Sequence, residues 1–433
     1  RAAAVLARLI AKDYRNFTQL DLEIPSTGLV IVGENGHGKT NLLEAVAYLA
    51  LLRSFRGARD ADVVRFGAPA FHVRAELTHP SAFNSVSVGF ERSTRRKRVT
   101  LDGVEQPRLT SALGAVPSVE FSPADVALVG GGPSERRHYL DVMLALSSRA
   151  YLQALQLYRG ALLRRNAALR TAQRDGARSG AHEARVSVWE PAMAEHGGFV
   201  AATRHAFVRD HSARFTQLSA AIGERQTVMM HYAATGGETA DDQLASAEAQ
   251  AETYRRAYAQ QRTQELRRGV TLVGPHRDDL QLLLGGRDLR TFGSAGQQRS
   301  AAIALRLLEL TTLRDAVGYP PLLLLDDPFA ELDLGRAGRV LALLEDAGAS
   351  QVLLAVPRVD DIPAAFTRLA QRTMSDGLLQ PLALGQNALQ HLRVVHHKAV
   401  VTALHQYIET IADAGIKAHP PTLDLRHHTF DGD

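Results

Sequence analysis

The strongest chemical signal in the sequence is the stretch GENGHGKT, which runs from Gly33 to Thr40. It follows the apolar run GLVIVG and precedes NLLEAVAYLALL, so it joins a predicted strand to a predicted helix, as a phosphate-binding loop does. Its glycines let backbone amides turn inward around a β-phosphate, and the helix directs its positive end at the anion. The motif predicts binding of ATP and Mg²⁺, with Lys39 reaching the β- and γ-oxygens and Thr40 ligating the metal. The expected nucleotide contacts are Gly33, Glu34, Asn35, Gly36, His37, Gly38, Lys39, Thr40 and Asn41, and Lys39 is also a predicted catalytic residue.

Two consecutive aspartates follow a second apolar run, LLLLDD. Four leucines in a row indicate a buried parallel strand that ends in carboxylates. Asp326 is predicted to hold Mg²⁺ together with Thr40. Asp327 is predicted to orient or deprotonate the attacking water, which makes it the second catalytic residue. The alternative role for this acid pair is a cap or a turn, and the phosphate loop disfavours it.

A third motif, GSAGQQR, lies between the other two and precedes a long helical stretch. Residues 294–298 (SAGQQ) resemble the signature motif LSGGQ of ABC-type ATPases, and residues 330–333 (AELD) resemble their D-loop. In that superfamily the signature serine and glycine complete the nucleotide site of a partner subunit, at the γ-phosphate. The resemblance implies that Ser294, Gly296 and Gln297 contact nucleotide and that two copies of the chain dimerise head to tail on ATP.

Longer blocks resemble the RecF family of bacterial recombination and repair ATPases, over roughly residues 6–356. These blocks are GENGHGKTNLLEAVAYL, SFR (54–56), SPADVALVGGGPSERRHYLD (122–141), TLVGPHRDDL and LLLLDDPFAELD. The resemblance implies a weak DNA-dependent ATPase that binds gapped DNA, or junctions of single- and double-stranded DNA, without sequence preference. It also implies cooperation with RecR and RecO in helping RecA to load, with roles in DNA repair, recombination, replication and the SOS response.

Basic residues supply candidate contacts to DNA phosphates. Residues 95–98 (RRKR) lie at the tip of a predicted hairpin, and Arg53, Arg56 and Arg59 follow the first predicted helix. For the hairpin run, a solvated turn is an equally good interpretation. Arg136-Arg137, at a predicted helix start, is interpreted as structural or as a pair of salt-bridge partners between the two lobes of the head.

The elements that must position these residues follow from hydrophobic periodicity and turn signals. Strands are predicted at VLARLIA, QLDLEI and GLVIVG, and alternation over 71–106 with a turn at Asp102-Gly103 predicts an antiparallel layer. The alternation of helices and strands over the C-terminal third predicts parallel strands with helices on them. The predicted fold class is α/β: an ABC-type ATPase head, with a mixed sheet that carries the phosphate loop and an antiparallel β layer, split by a helical arm.

The predicted domains are residues 1–124 (N-terminal part of the head), 125–268 (helical arm), 269–358 (C-terminal part of the head) and 359–433 (a tail of unknown function). In the arm, apolar residues from Tyr151 to Leu169 have the spacing of a short coiled coil, interrupted by Arg165. A second stripe runs from Val186 to Leu218, where Pro191 and Gly197-Gly198 predict kinks. An ordinary helical bundle and a projecting arm both fit this pattern.

Two other function classes share these motifs. An ABC-type subunit that energises transport would present a coupling surface to a membrane partner. An SMC-like structural DNA clamp would place hundreds of residues of coiled coil between the two nucleotide-binding halves, and the segment 125–268 is too short for that.

Composition narrows the remaining possibilities. The 433 residues are 45% hydrophobic and 22% charged with a formal charge of +4, which permits a polyanionic partner without requiring one. The absence of cysteine excludes disulfides, thiolate metal sites and cysteine nucleophiles. No run of 18 apolar residues occurs, so no membrane span is predicted and no membrane partner is expected. With no cysteine in the chain, the cytoplasm is the default predicted location, with nucleoid association when DNA is bound. His396 and His397 lack partners at metal-ligand spacing, so no metal site is predicted in the tail.

Overall fold

The computed structural model describes residues 5–78, 83–176, 180–235, 246–330, 332–348 and 351–382. The strands within these ranges are β1 (Val5–Tyr14), β2 (Phe17–Glu23), β3 (Gly28–Val32), β4 (Ala70–Thr78), β5 (Ser85–Glu91), β6 (Arg96–Leu101), β7 (Val104–Glu105), β8 (Ser118–Phe121), β9 (Val228–Ala233), β10 (Asp279–Leu284), β11 (Arg287–Asp288), β12 (Leu322–Asp326), β13 (Val352–Val356), β14 (Ala370–Ser375) and β15 (Leu378–Pro381). The helices are α1 (Lys39–Leu51), α2 (Asp60–Val63), α3 (Ala127–Gly130), α4 (Pro133–Ser147), α5 (Arg149–Asp175), α6 (Gly180–Ser187), α7 (Glu190–Ile222), α8 (Ala247–Arg268), α9 (Leu289–Phe292), α10 (Ala295–Val317) and α11 (Leu334–Asp346).

The central sheet has the strand order β15-β14-β3-β13-β12-β8. Its inner strands pair in parallel, as predicted, with Val356 opposite Val32 and Asp326 opposite Ala355. Strands β3 and β13 are buried along their whole length, which is why both read as unbroken apolar runs rather than as alternating patterns. The register brings the carboxyl ends of β3 and β12 to the same edge of the sheet.

One face of the central sheet packs on α1 and on an antiparallel sheet of order β2-β1-β4-β5-β6-β7. The rings of Tyr14, Tyr48 and Phe71 meet edge to face between these layers, with centroids 5.3–6.0 Å apart. At the β6–β7 turn Asp102 has φ 48° and Gly103 has φ 80°, the backbone of a tight hairpin turn. The predicted antiparallel layer and its turn are therefore confirmed.

The other face of the central sheet packs on α10 and on the helical segment. Helices α5, α7 and α8 pack against one another, and Arg165 lies at their centre with 0% of its side chain exposed. Arg165 donates to Glu190 on α7 at 2.8 Å and to Glu265 on α8 at 2.7 Å. Burial by itself lowers the pKa of this guanidinium, but hydrogen bonds and charge attraction from the two carboxylates outweigh burial and raise it. The residue that interrupts the apolar seam is thus a buried ionic junction of three helices.

Helix α7 runs unbroken from Glu190 to Ile222, so Gly197-Gly198, where a kink is predicted, do not end the helix. Pro191 lies in the first turn of α7, where its missing N–H costs no helical bond. A Cβ on Gly198 would come 2.5 Å from the carbonyl oxygen of Ala247. Glycine at this position therefore permits the close approach of α7 to α8.

The arginine pair at the start of α4 is structural, as predicted. Arg136 is 5% exposed and forms two parallel hydrogen bonds with Asp279, at 2.9 and 2.8 Å. Arg137 donates to the carbonyl oxygen of Asp278 at 2.7 Å. These contacts join α4 to the segment that leads into β10, more than a hundred residues later in the chain.

The predicted boundary after Arg358 is wrong, because the central sheet continues beyond it. Strand β14 pairs in parallel with β3, with Gln371 opposite Val30 and Thr373 opposite Val32. Four of its six residues are partly buried and three of those four are polar, so the edge strand carries too weak an apolar signal to be recognised in the sequence. The division into head and arm stays a prediction, and residues 383–433, with His396 and His397, lie outside the described residues.

No helix among the described residues is both long and apolar enough to cross a membrane.

We expect Arg165→Met to destabilise the protein by ~3–5 kcal/mol, because it removes the cation of the buried Glu265 carboxylate and leaves Glu190 with Arg262 alone. Urea unfolding followed by circular dichroism measures the change. Arg170→Met, on the exposed side of α5, is the matched control and should cost less than about 0.5 kcal/mol. An equal, small effect of both changes would contradict the ionic junction.

Candidate nucleotide site

The loop between β3 and α1 has the backbone of a phosphate cradle. Gly38 caps α1 at φ 110°, and a Cβ at this position would meet the side-chain amide of Asn16 at 2.5 Å. Only glycine fits that conformation and that contact. Because α1 is 13 residues long, its unpaired N–H groups and its dipole act together at the loop.

Lys39 lies inside the cradle. It is 6% exposed, and its Nζ donates to the carbonyl oxygens of Gly33 at 2.6 Å and of Glu34 at 2.9 Å. Burial lowers the pKa of Lys39, while Asp326 and Asp327 act to raise it. The ammonium is therefore held by the loop that would surround a phosphate, beside two carboxylates.

Thr40 and Asp326 meet across the edge of the sheet. Thr40 Oγ1 donates to Asp326 Oδ2 at 2.8 Å, although the residues are 286 positions apart. Burial raises the pKa of Asp326, against the hydrogen bond from Thr40 and the charge of Lys39. A partly desolvated carboxylate beside a hydroxyl suits a hard divalent cation.

The oxygen atoms of Thr40 and Asp326 fit Mg²⁺, which takes oxygen ligands. This ion commonly uses only one or two protein groups together with phosphate oxygens and water. Thr40 and Asp326 would hold the ion, which would supply positive charge against a bound phosphate. Among the described residues, no cluster of three or more His, Cys, Asp or Glu side chains offers another metal site.

Asp327 has an unusual backbone. Its φ is 48°, and its N–H donates to the carbonyl oxygen of Ala355 at 2.9 Å. Burial raises the pKa of this carboxyl, and the nearby charges of Asp361 and Asp326 raise it further. A carboxylate with a raised pKa is a better proton acceptor than an ordinary carboxylate. The catalytic roles of Asp327 and Lys39 stay predictions.

Two turns that were not singled out in the sequence hold the phosphate loop at His37. Asn16 Nδ2, from the β1–β2 turn, donates to the carbonyl oxygen of His37 at 3.1 Å. In the β14–β15 turn, Asp376 N–H donates to His37 Nδ1 at 2.9 Å, and Gly377 N–H donates to the His37 carbonyl oxygen at 3.0 Å. Asn41 Nδ2 donates to Asn16 Oδ1 at 2.8 Å, so the predicted contact Asn41 also braces the loop. Asp376-Gly377 is a turn signal, but only pairing of β14 with β3 shows which loop it reaches.

The structure brings together the predicted residues of the phosphate loop with Asp326 and Asp327, but it places the signature residues elsewhere. Ser294 caps α10, and it exchanges hydrogen bonds with Gln297, one at 2.9 Å to the Gln297 side chain and one at 3.3 Å from the Gln297 N–H. Ser294 and Gln297 line a cavity between the end of α7 and the start of α11. The described residues around that cavity do not include the phosphate loop. Gly296 lies in the first turn of the same helix.

The basic run at the β5–β6 hairpin divides by environment. Lys97 points inward: it pairs with Asp60 at 2.7 Å and lies over the ring of Tyr48, so it is structural. Arg95 and Arg98 are exposed. Near the loop, Arg56 Nη1 donates to Asn41 at 3.2 Å, while Arg53 contacts His138 on α4.

Known proteins resemble this chain over most of its length. Residues 5–374 match the family described as the RecF/RecN/SMC N-terminal domain. The chain is 35% identical to the DNA replication and repair protein RecF of Exiguobacterium sp. over 81% of its own length and 92% of that protein's. It is 34% identical to the protein of the same name from Pseudarthrobacter chlorophenolicus, over 86% of this chain and 98% of that one.

The fold of the chain is also similar to those of solved structures. A structure of a recombination mediator protein, RecF with ATP, has a TM-score of 0.78 and 27% identity, and the match covers 88% of this chain and 98% of that one. The Smc head domain of Pyrococcus furiosus has a TM-score of 0.50 at 17% identity, over 91% and 100% of the two chains, and supports the fold alone. The predicted fold class is confirmed.

We expect Asp326→Asn to stabilise the protein in the absence of nucleotide and to weaken binding of Mg²⁺ with ATP. Because burial raises the pKa of Asp326, the cost of its charge is absent below the ordinary aspartate pKa and appears as the pH rises through the raised value. The gain in melting temperature should therefore be larger at neutral pH than at a pH below the ordinary aspartate pKa. Asp346→Asn, on the exposed face of α11, is the control, and a gain that did not change with pH would refute this account.

We expect Asn16→Ala to weaken ATP binding roughly tenfold, because it removes two hydrogen bonds of about 1 kcal/mol each that hold the phosphate loop. Isothermal titration with ATP and Mg²⁺ measures the affinity. Gln19→Ala, which changes an exposed residue of β2, should leave the affinity unchanged. Unchanged affinity in the Asn16 variant would mean that the brace is dispensable.

Proposed function

Because the chain belongs to the RecF/RecN/SMC N-terminal domain family, we propose that it is an ATP-dependent DNA-binding protein of recombinational repair. In this proposal it dimerises on ATP and binds gapped DNA or junctions of single- and double-stranded DNA. It helps RecA to load, together with RecR and RecO, and hydrolyses ATP weakly in the presence of DNA. The observation that carries the proposal is the similarity to RecF proteins over more than four-fifths of the chain, combined with an assembled phosphate loop.

The site supports nucleotide binding in three ways. The loop amides and the start of α1 face an anion, Lys39 adds a positive charge, and Thr40 with Asp326 supplies oxygen ligands for Mg²⁺. When bound, the metal would supply positive charge that neutralises phosphate charge, which favours transfer of the γ-phosphoryl group to water. Asp327 would accept a proton from that water, for which its raised pKa is suited.

The separation of the signature residues from the phosphate loop supports dimerisation. Ser294 and Gln297 line a cavity that includes no residue of the loop. If these residues contact nucleotide, the nucleotide must be held by another copy of the chain. Two copies placed head to tail would then enclose two ATP molecules, and hydrolysis would release the dimer.

Exposed arginines support contact with DNA phosphates. Arg95 and Arg98 extend from the β5–β6 hairpin without burial, whereas Lys97 is committed to Asp60. Contacts of this kind bind the backbone without reading bases, so affinity should fall steeply with salt. DNA binding without sequence preference is expected for the same reason.

We expect the parent chain to dimerise with ATP and Mg²⁺ and to retain gapped DNA, and the Lys39→Met chain to do neither. The substitution removes a charge-assisted contact to phosphate, which is worth about 1.5–3 kcal/mol at each site. Sizing by light scattering and DNA retention, with ATP, with ADP and without nucleotide, at about 50 and 200 mM salt, measure both effects. Retention should fall more than tenfold at the higher salt.

The control for this experiment is Lys12→Met, which changes an exposed lysine of β1. A Lys39→Met chain that dimerised on ATP as well as the parent does would refute the nucleotide-bridged dimer. A parent chain that showed no ATP-dependent DNA retention would favour an ATPase subunit that energises transport.

A further inference from the structure

A cavity of about 530 Å³ lies between the end of α7, the start of α10 and the start of α11. Its lining includes Arg225, Ser294, Gln297, Asp333, Arg336 and Arg339. Three arginines face two carboxylates, those of Asp333 and Glu224, so the cavity carries excess positive charge. The 23-residue helix α10 also directs its N-terminus at this place. The lining is therefore suited to an anion.

Among the cavity residues, Arg336 contacts the signature segment at Gly296. Its Nη1 lies 2.9 Å from the point where a Cβ on Gly296 would be. Its Nε is 3.6 Å from Asp333 Oδ2, a long contact, and 26% of its side chain is exposed. The guanidinium thus lies over the first turn of α10 with donors left for a ligand, and any larger residue at 296 would displace it.

Arg339, the other cavity arginine on α11, makes its contacts within the chain. Arg339 Nε donates to the carbonyl oxygen of Ile222 at 2.8 Å, and its guanidinium packs on Gly223. Arg339 therefore joins α11 to the end of α7. Of the two, Arg336 is the one placed to contact a ligand beside Ser294.

The surroundings of the cavity indicate that a protein surface covers it. Leu334, next to Asp333, is 94% exposed, and Phe292, two residues before Ser294, is 62% exposed. Large apolar side chains on the rim of a charged cavity favour contact with a macromolecule over capture of a free anion. In the proposed dimer, the surface that arrives here belongs to a second copy of the chain and carries the phosphate loop.

We propose that Arg336, held over Gly296, donates hydrogen bonds to the γ-phosphate of the ATP bound at Lys39 of a second copy of the chain. The inference rests on the proposed ATP-dependent dimer and adds to it an arginine outside the recognised motifs. A planar guanidinium can make two parallel hydrogen bonds to phosphate oxygens, and these are lost when hydrolysis removes the γ-phosphate. Arg336 would therefore make dimer stability sensitive to the nucleotide state.

The first test compares Arg336→Gln with the parent. ATP binding by single chains at low protein concentration should be unchanged, because the phosphate loop is intact. The dissociation constant of the ATP-bound dimer should rise at least tenfold, because each of the two sites loses a charge-assisted contact. Arg174→Gln, at the exposed end of α5, is the matched control and should leave both quantities unchanged.

The second test asks whether Arg336 acts across the dimer. Arg336→Gln and Lys39→Met chains carrying different tags are mixed, and mixed dimers are counted by mass photometry with ATP. One composite site in each mixed dimer then has an intact Lys39 from one copy and an intact Arg336 from the other. ATP-dependent mixed dimers should exceed either variant's own dimers, whereas an arginine that acts within its own chain predicts no excess.

The outcomes separate the two proposals. A parent chain that stays single with ATP overturns the proposed function. A parent that dimerises, with an Arg336→Gln chain that dimerises equally well or with mixed chains that show no excess, overturns only the role of Arg336. Partial recovery of the dimer by Arg336→Lys supports a contact to phosphate, since lysine keeps the charge but loses the paired geometry.

Discussion

The hydrogen bond from Thr40 to Asp326, at 2.8 Å, depends on a sheet that joins residues 286 positions apart. Strand β3 delivers the phosphate loop and β12 delivers the carboxylate, with β13 between them in parallel register. If either strand slipped by one residue, the side chains that follow it would turn to the opposite face. Burial of β3 and β13 on both faces makes such a slip costly, because each slip would expose apolar surface and break backbone pairing.

Buried arginines also fix the positions of helices in this protein. Arg136 joins α4 to Asp279, and Arg165 joins α5 to α7 and α8, each through hydrogen bonds that compensate for desolvation. Isolated buried charges are expensive, so an arrangement that left these arginines unpaired would be disfavoured. The cost of mispairing helps to select one arrangement of helices from several that an apolar seam alone would permit.

In the proposed dimer, the nucleotide site is divided between two surfaces of the chain. The phosphate loop, Asp326 and Asp327 would form one half, and the cavity around Ser294 and Arg336 would form the other. Each half would be incomplete until a nucleotide lies between two copies. The γ-phosphate would then be the shared ligand, and its removal would weaken the contact between the copies without any further motion inside either one.

The sequence alone determined those features that depend on neighbouring residues. The phosphate loop, the LLLLDD strand, the Asp102-Gly103 turn and the structural arginines at 136–137 are short patterns whose physics acts within a few positions, and the structure bears them out. The order of the motifs was also read from the sequence, and the family resemblance depended on it.

Only the tertiary structure decided the features that depend on contacts between distant segments. These include the close approach of α7 to α8 at Gly198, the place of β14 beside β3, and the brace on His37 from Asn16 and Asp376. They were missed because a glycine, an edge strand and a polar turn each look the same in sequence whatever they contact. The partner across space gives each of them its role, and burial and hydrogen-bond geometry select that partner only when the whole chain is folded.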